Sequence, residues 1–151
     1  MSPSCPISTR RVDANMARMI SFHVVLFSVL FLLTYSGIFL FILVSDFIAR
    51  AFRKSALSPF FVSGKVILTG FGATPRPCDE SPKRFALYLG LGTALAAFIL
   101  YSTGLAEAAV PIVFILFFCA LLEALFDFCI GCRIYYILQL FKAMKHDRNF
   151  N

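Results

Sequence analysis

MARMISFHVVLFSVLFLLTYSGIFLFILVSDFIARAF, residues 16–52, decides the fold. Its only charged residues are Arg18, Asp46 and Arg50. As one helix it would reach about 55 Å at ~1.5 Å per residue, far beyond a hydrocarbon core of about 30 Å. Thr34-Tyr35-Ser36-Gly37 offers a turn instead. The stretch then reads as a hairpin of two short membrane helices, about 17–34 and 37–52. The hairpin also puts Arg10, Arg11 and Arg18 on the same side as Arg50, Arg53 and Lys54, which a single span would separate.

The rest of the composition agrees with a membrane protein. The 151 residues are 60% hydrophobic with a mean hydropathy of +0.84, above the roughly 45–50% apolar content of a soluble domain. With 19 Phe and no Trp, interfacial anchoring falls to Tyr, Lys and Arg. The net charge of +6 flanks the apolar runs, as membrane orientation and anionic lipid require. No basic, aromatic-interleaved module is visible, so nucleic acid is not an expected partner; the lipid bilayer is. Residues 1–15 form a polar arm with Pro3 and Pro6. The apolar run that follows is too long for a signal sequence and should remain as an anchor. Asp13 or Asn15 is placed to cap the first helix.

Beyond residue 52 the chain is polar to about residue 82. Ser58-Pro59 reads as an N-cap and first helical position. The apolar run 60–68 is too short to span, so it predicts an interfacial or re-entrant helix. Asp79-Glu80-Ser81-Pro82 opens a third span, about 83–101, in which Gly90, Gly92, Thr93, Ala94, Ala96 and Ala97 allow close helix approach. Ser102-Thr103-Gly104 turns the chain into a fourth span, about 108–128. Residues 133–145 follow as an amphipathic interfacial helix, with Ile134, Ile137, Leu138, Phe141 and Met144 on one face. The expected fold is therefore an all-α integral membrane protein, a single membrane domain over 1–151. Four short transmembrane helices form two hairpins, with interfacial helices on the cytoplasmic side. All 14 Lys and Arg lie in the N-terminal arm and its junction with the first helix, in 50–84, or after Cys132. The turns near 35 and 103 have none, so both termini and the long connection should face the cytoplasm.

Four cysteines then share that face: Cys5, Cys78, Cys129 and Cys132. Cys129-Ile130-Gly131-Cys132 has the spacing of a thiol–disulfide exchange pair, in which one thiolate attacks and the other resolves. The cytoplasm disfavours a permanent structural disulfide. If the fourth helix ends at Gly131, Cys132 opens the next one beside Arg133. That would make Cys132 the more acidic thiol and the nucleophile, with Cys129 as its partner and Cys5 as a possible relay. Two other readings stand beside it. The cysteines can be small packing residues without chemistry. Four thiols can also hold zinc or an iron–sulfur centre, although one tight pair is fewer than structural zinc usually shows, and no metal is expected. His23 reads as a polar residue bonded to a neighbouring helix.

Two carboxylate positions need partners. Asp46 lies four residues before Arg50, and Glu123 four before Asp127, each pair on one helix face. Asp46–Arg50 reads as an ion pair. Glu123 must find a cation across helices, with Arg18, Arg50 and Arg133 as candidates, and Glu123 with Asp127 could exchange protons with a sulfur. No Walker loop, dinucleotide fingerprint, Ser/His/Asp set or HExxH motif appears. No cofactor is identified; a quinone is a reasonable membrane-side acceptor, but no motif marks a site for one.

Several motifs occur together and in order. They are Cys5-Pro6-Ile7, Val12-Asp13-Ala14-Asn15 with Ala17-Arg18, and Asp46-Phe47 with Arg50-Ala51-Phe52. Ser58-Pro59, Ser81-Pro82-Lys83-Arg84-Phe85-Ala86, Leu122-Glu123 and Cys129-x-Gly131-Cys132-x-x-Tyr135 follow. In these the chain resembles a small bacterial membrane family of four predicted spans, catalogued as a domain of unknown function. Cys78 and Cys119 are outside that pattern. The resemblance implies a multi-pass protein of the bacterial cytoplasmic (inner) membrane in which Cys5, Cys129 and Cys132 form one constellation. It brings no established activity. It implies thioredoxin-like or sulfurtransferase partners, and so thiol redox or sulfur relay at the cytoplasmic face. The alternative is a non-enzymatic scaffold or permease-like subunit, which with few spans would need to form a homo-oligomer, for which the Gly/Ala face of the third span is the candidate surface.

Overall fold

The fold is given by a computed structural model that describes residues 11–148. In order it contains β1 (Arg11–Asp13), α1 (Ala14–Thr34), α2 (Gly37–Ala51), a 3-10 turn (Ser55–Leu57), α3 (Pro59–Gly70), β2 (Pro77–Asp79), α4 (Glu80–Ser102), α5 (Ala106–Phe126) and α6 (Ile130–Arg148). Among the described residues three helices, α1, α4 and α5, are long and apolar enough to cross a membrane. The second member of the first hairpin, α2, has 15 residues, or about 22 Å of helix.

The first turn falls where Thr34-Tyr35-Ser36-Gly37 suggested, but Tyr35 rather than Gly37 makes it. Tyr35 adopts φ 52° and its N–H bonds the Phe31 carbonyl at 2.7 Å. Gly37 instead opens α2, where the Tyr101 ring leaves no room for a Cβ. Tyr101 also donates through its hydroxyl to the Tyr35 carbonyl at 3.0 Å, so the end of α4 meets the α1–α2 turn. The second turn uses Gly104 at φ 85°, a left-handed conformation that suits glycine.

Inside the bundle Phe31, Leu40, Leu43, Ala94, Ala97, Ala109 and Val113 are fully buried. The small residues of α4 divide. Ala94 and Ala97 face inward, and a Cβ at Gly90 would strike the Phe47 ring, whereas Gly92 has open space around it. Leu33, Ile38, Phe41, Ile99, Phe118 and Leu125 are exposed. So wide an apolar exterior is out of place in water and suits contact with lipid.

At the opposite end from Tyr35 and Tyr101, long-range polar contacts fasten the connections. Asp13 caps α1, accepting from the Asn15 N–H at 3.0 Å and from the Arg76 N–H at 3.0 Å. Asn15 Nδ2 donates to the Thr74 carbonyl at 2.8 Å. β1 pairs antiparallel with β2, Val12 opposite Cys78. Ser58 caps α3 as expected, its Oγ accepting from the Phe61 N–H at 3.2 Å. On α1, His23 bridges to α3 as the sequence suggested, with Nε2 3.1 Å from Ser63 Oγ and its ring stacked on Phe60.

One boundary differs from the sequence reading. α5 ends at Phe126, not near Gly131, because Asp127 turns left-handed at φ 55° and its N–H bonds the Glu123 carbonyl at 3.1 Å. α6 then starts at Ile130, ahead of the expected residue 133, and Gly131 lies inside it. This glycine does not make the turn. A Cβ there would lie 2.6 Å from Ala86 Cβ and 2.7 Å from Ala86 Cα, so its absence lets α6 lie directly on α4.

Candidate functional site

The early end of α5 changes the roles within Cys129-Ile130-Gly131-Cys132. Cys129 immediately precedes α6, and its carbonyl accepts the first helical hydrogen bond, from the Arg133 N–H at 3.2 Å. Cys132, the third residue of α6, lies in its first turn, so the helix N-terminus favours a thiolate at either sulfur and lies nearer Cys129. Both are free, half-buried thiols. Interaction with the Cys132 thiol pulls the Cys129 pKa below its ordinary value, against burial and the nearby Glu123. The same interaction, with burial next, pushes Cys132 well above its ordinary value.

The neighbouring cation also differs. Arg133 lies over the Phe128 ring, 5.2 Å from its centroid, and its side chain is exposed. Lys83, in the first turns of α4, favours the thiolate of both members of the pair. Lys83 is also the partner Glu123 needed, Nζ to Oε1 at 3.9 Å, while Ser21 of α1 donates to Glu123 Oε2 at 2.8 Å. Of the cations proposed for Glu123, Arg18 instead donates to the Ala124 carbonyl at 3.1 Å, satisfying the end of α5. Lys83 was hidden from sequence reasoning because it is 40 residues from Glu123 and belongs to a segment that looked like a helix start. Its place in Ser81-Pro82-Lys83-Arg84 was the available signal.

Asp127 does not share a helix face with Glu123. It is the left-handed residue that closes α5 and it is exposed. Cys5 lies outside the described residues. Cys78, set aside in the sequence, sits on β2 with its thiol donating to the Val12 carbonyl at 3.3 Å. Burial raises its pKa and Lys83 acts the other way. Lys83 thus stands among Glu123, Cys78 and the Cys129–Cys132 pair. Among the described residues no three His, Cys, Asp or Glu side chains are grouped to hold a metal ion.

Asp46 has a structural setting. Fully buried, it accepts from Arg50 Nε at 2.8 Å, from the Ser58 hydroxyl and from the Phe60 N–H at 3.3 Å. The expected Asp46–Arg50 pair is present, and it also holds the start of α3.

A cavity of about 640 Å³ opens among α1, α2, α4, α5 and α6. Its walls are largely apolar, from Ile20, Val24, Phe47 and Leu116, and its polar groups include Ser21, Arg50, Lys83 and Glu123. Cys129 and Cys119 border it; Cys132 does not. Of the pair, Cys129 is therefore the member that meets the cavity.

The family described as "Domain of unknown function (DUF4395)" matches residues 12–139, and the chain belongs to it. No curated protein and no solved structure matches the chain.

Proposed function

We propose that this member of the DUF4395 family is a membrane thiol protein that exchanges electrons or sulfur with a partner through Cys129 and Cys132. The observation that carries the reading is the pairing itself: two free, half-buried thiols one turn apart at the N-terminus of α6. In the exchange, the Cys129 thiolate attacks a partner disulfide and expels one partner thiolate. Cys132, after losing its proton, attacks the Cys129 sulfur and releases the second. The protein dithiol becomes a disulfide as the partner disulfide becomes a dithiol, and the reverse order runs equally. With a sulfurtransferase as partner, Cys129 would hold a transferred sulfur as a persulfide. Lys83 supports the thiolate electrostatically, and Glu123, bonded to Ser21, holds Lys83 in place. Asp127 and Cys5 have no assigned step in this scheme.

The setting we propose has four spans with both termini on the cytoplasmic side of a bacterial inner membrane. The short helix α2 completes the first hairpin, and the apolar, exposed face of α6 (Ile137, Leu138, Phe141, Met144) rests in the interface. The thiol pair then lies where a cytoplasmic thioredoxin-like protein can reach it.

The test is mixed-disulfide trapping. Cys132→Ser should trap a partner or a small aromatic disulfide on Cys129, because the resolving thiol is gone. Cys129→Ser should trap little. If Cys132 is trapped instead, the roles revert; if neither thiol reacts in the folded protein, the redox reading fails. The competing scaffold reading has one observation in its favour. Gly131 is explained by contact with Ala86 alone, so part of the motif needs no chemistry. Two inert thiols would leave that reading standing.

A further inference from the structure

We propose that the cavity beside Cys129 binds a quinone, which reoxidises the thiol pair; this rests on the thiol-exchange reading above. Three features of the cavity choose the ligand. Its volume, about 640 Å³, lies within the ~300–1,000 Å³ typical of organic ligand sites, and its walls offer Ile20, Val24 and Leu116 to a flat apolar ring. Its charges are answered internally. The four lining cations lie within ion-pair distance of carboxylates: Arg50 to Asp46 at 2.7 Å, Arg53 and Arg84 to Glu80 at 3.4 and 3.6 Å, and Lys83 to Glu123 at 3.9 Å. That arrangement suits a neutral head better than the phosphate or carboxylate of a lipid. Finally, Arg50 lines the cavity with a guanidinium that has five N–H donors, of which those on Nη2 and Nε face Asp46 Oδ2 at 2.7 and 2.8 Å; the donors that remain can meet a neutral acceptor, and a quinone carbonyl is one.

The chemistry balances. The Cys129 thiolate adds to an electrophilic ring carbon, forming a C–S bond while one ring oxygen gains a proton. Cys132 loses its proton and attacks the Cys129 sulfur. The S–S bond forms, the C–S bond breaks, its electron pair returns to the ring, and the second ring oxygen is protonated. The dithiol has lost two electrons and two protons, and the quinone has become a quinol.

The experiment uses the full chain in detergent with its thiols reduced. A decyl-chain benzoquinone is added, quinol is followed by absorbance, and thiols are counted by maleimide mass shift. One quinol per Cys129–Cys132 disulfide is expected. Ala120→Phe, which fills the cavity from its α5 wall, should slow quinone reduction about tenfold more than it slows reaction with a small aromatic disulfide. Unchanged relative rates in this variant, or no quinol from a pair that still reacts with the small disulfide, overturn the quinone site and leave thiol exchange standing. A pair inert to both reagents removes both proposals. If Ala120→Phe does not fold, an azido-quinone photolabel on the unsubstituted protein decides. Label on the cavity walls supports the site, and label confined to other surfaces refutes it.

Discussion

Cys129 and Cys132 show how a few residues at a helix start change the chemistry. The sequence reading gave the helix start to Cys132 because Gly131 looked like the turn. Asp127 is the turn, since a short polar side chain tolerates the left-handed conformation. Moving the helix start back brings the dipole nearer Cys129. The consequence is a pH profile. Cys129 should alkylate with iodoacetamide through a midpoint below the ordinary thiol range, because its thiolate is stabilised and so forms at lower pH. Cys132, raised by the same interaction and by burial, should follow only at higher pH. Cys132→Ala removes that interaction and should shift the Cys129 midpoint upward. Rates measured by mass spectrometry across the pH range check both directions, and Cys132 titrating first would contradict them. A buried carboxylate gives a second prediction. Asp46→Ala leaves Arg50 without its counter-charge and frees the start of α3. It should cost about 3–5 kcal/mol in thermal unfolding, as breaking a buried pair does. Asp46→Asn should cost less, because its amide oxygen can still accept from Ser58 or Phe60.

The helices were legible wherever an apolar run had a clear punctuation mark. Ser58-Pro59, Asp79-Glu80 and Thr103-Gly104 each predicted a boundary within a few residues, because capping and turn chemistry are local. The β1–β2 pairing was not legible. Three-residue strands are too short to show alternation, and the two are joined only by contacts across more than sixty residues. The site divided along the same line. The sulfur pair could be read from its spacing, but its cation, its cavity and the reason for Gly131 depend on α4 packing against α5 and α6. That packing is testable. Gly131→Ala forces a methyl against the backbone of Ala86, and should destabilise the protein by about 1–3 kcal/mol, as overpacking does. Ala86→Gly in the same chain should recover little, since Ala86 Cα itself is 2.7 Å from the added carbon. Thermal unfolding of the two variants checks this. Full recovery would mean that the methyl contact alone fixes the approach.

The two ends of the bundle are chemically unlike, and this is the strongest argument for its orientation in a membrane. Tyr35, Tyr101, Thr103 and Gly104 gather at one end, where no Lys or Arg occurs in either turn. Arg18, Arg50, Arg53, Lys83 and Arg84 gather at the other, tied to Ala124, Asp46, Glu123 and Glu80. Cations held back from translocation would leave that second end, and the thiol pair with it, in the cytoplasm. The shortest proposed span is α2, whose 15 residues give about 22 Å against a core of about 30 Å. Phe52, exposed just beyond its end, can cover part of the difference, as flanking residues do for short spans. Single cysteines placed at Ser36, Lys65, Thr103 and Lys142 in a chain otherwise free of cysteine decide the matter. With a membrane-impermeant maleimide on intact cells, positions 36 and 103 should label from outside, and 65 and 142 only after permeabilisation. If position 65 labels from outside, α2 does not return the chain to the cytoplasm, the four-span arrangement fails, and Asp46 with Arg50 must then be placed on the far side from Arg18.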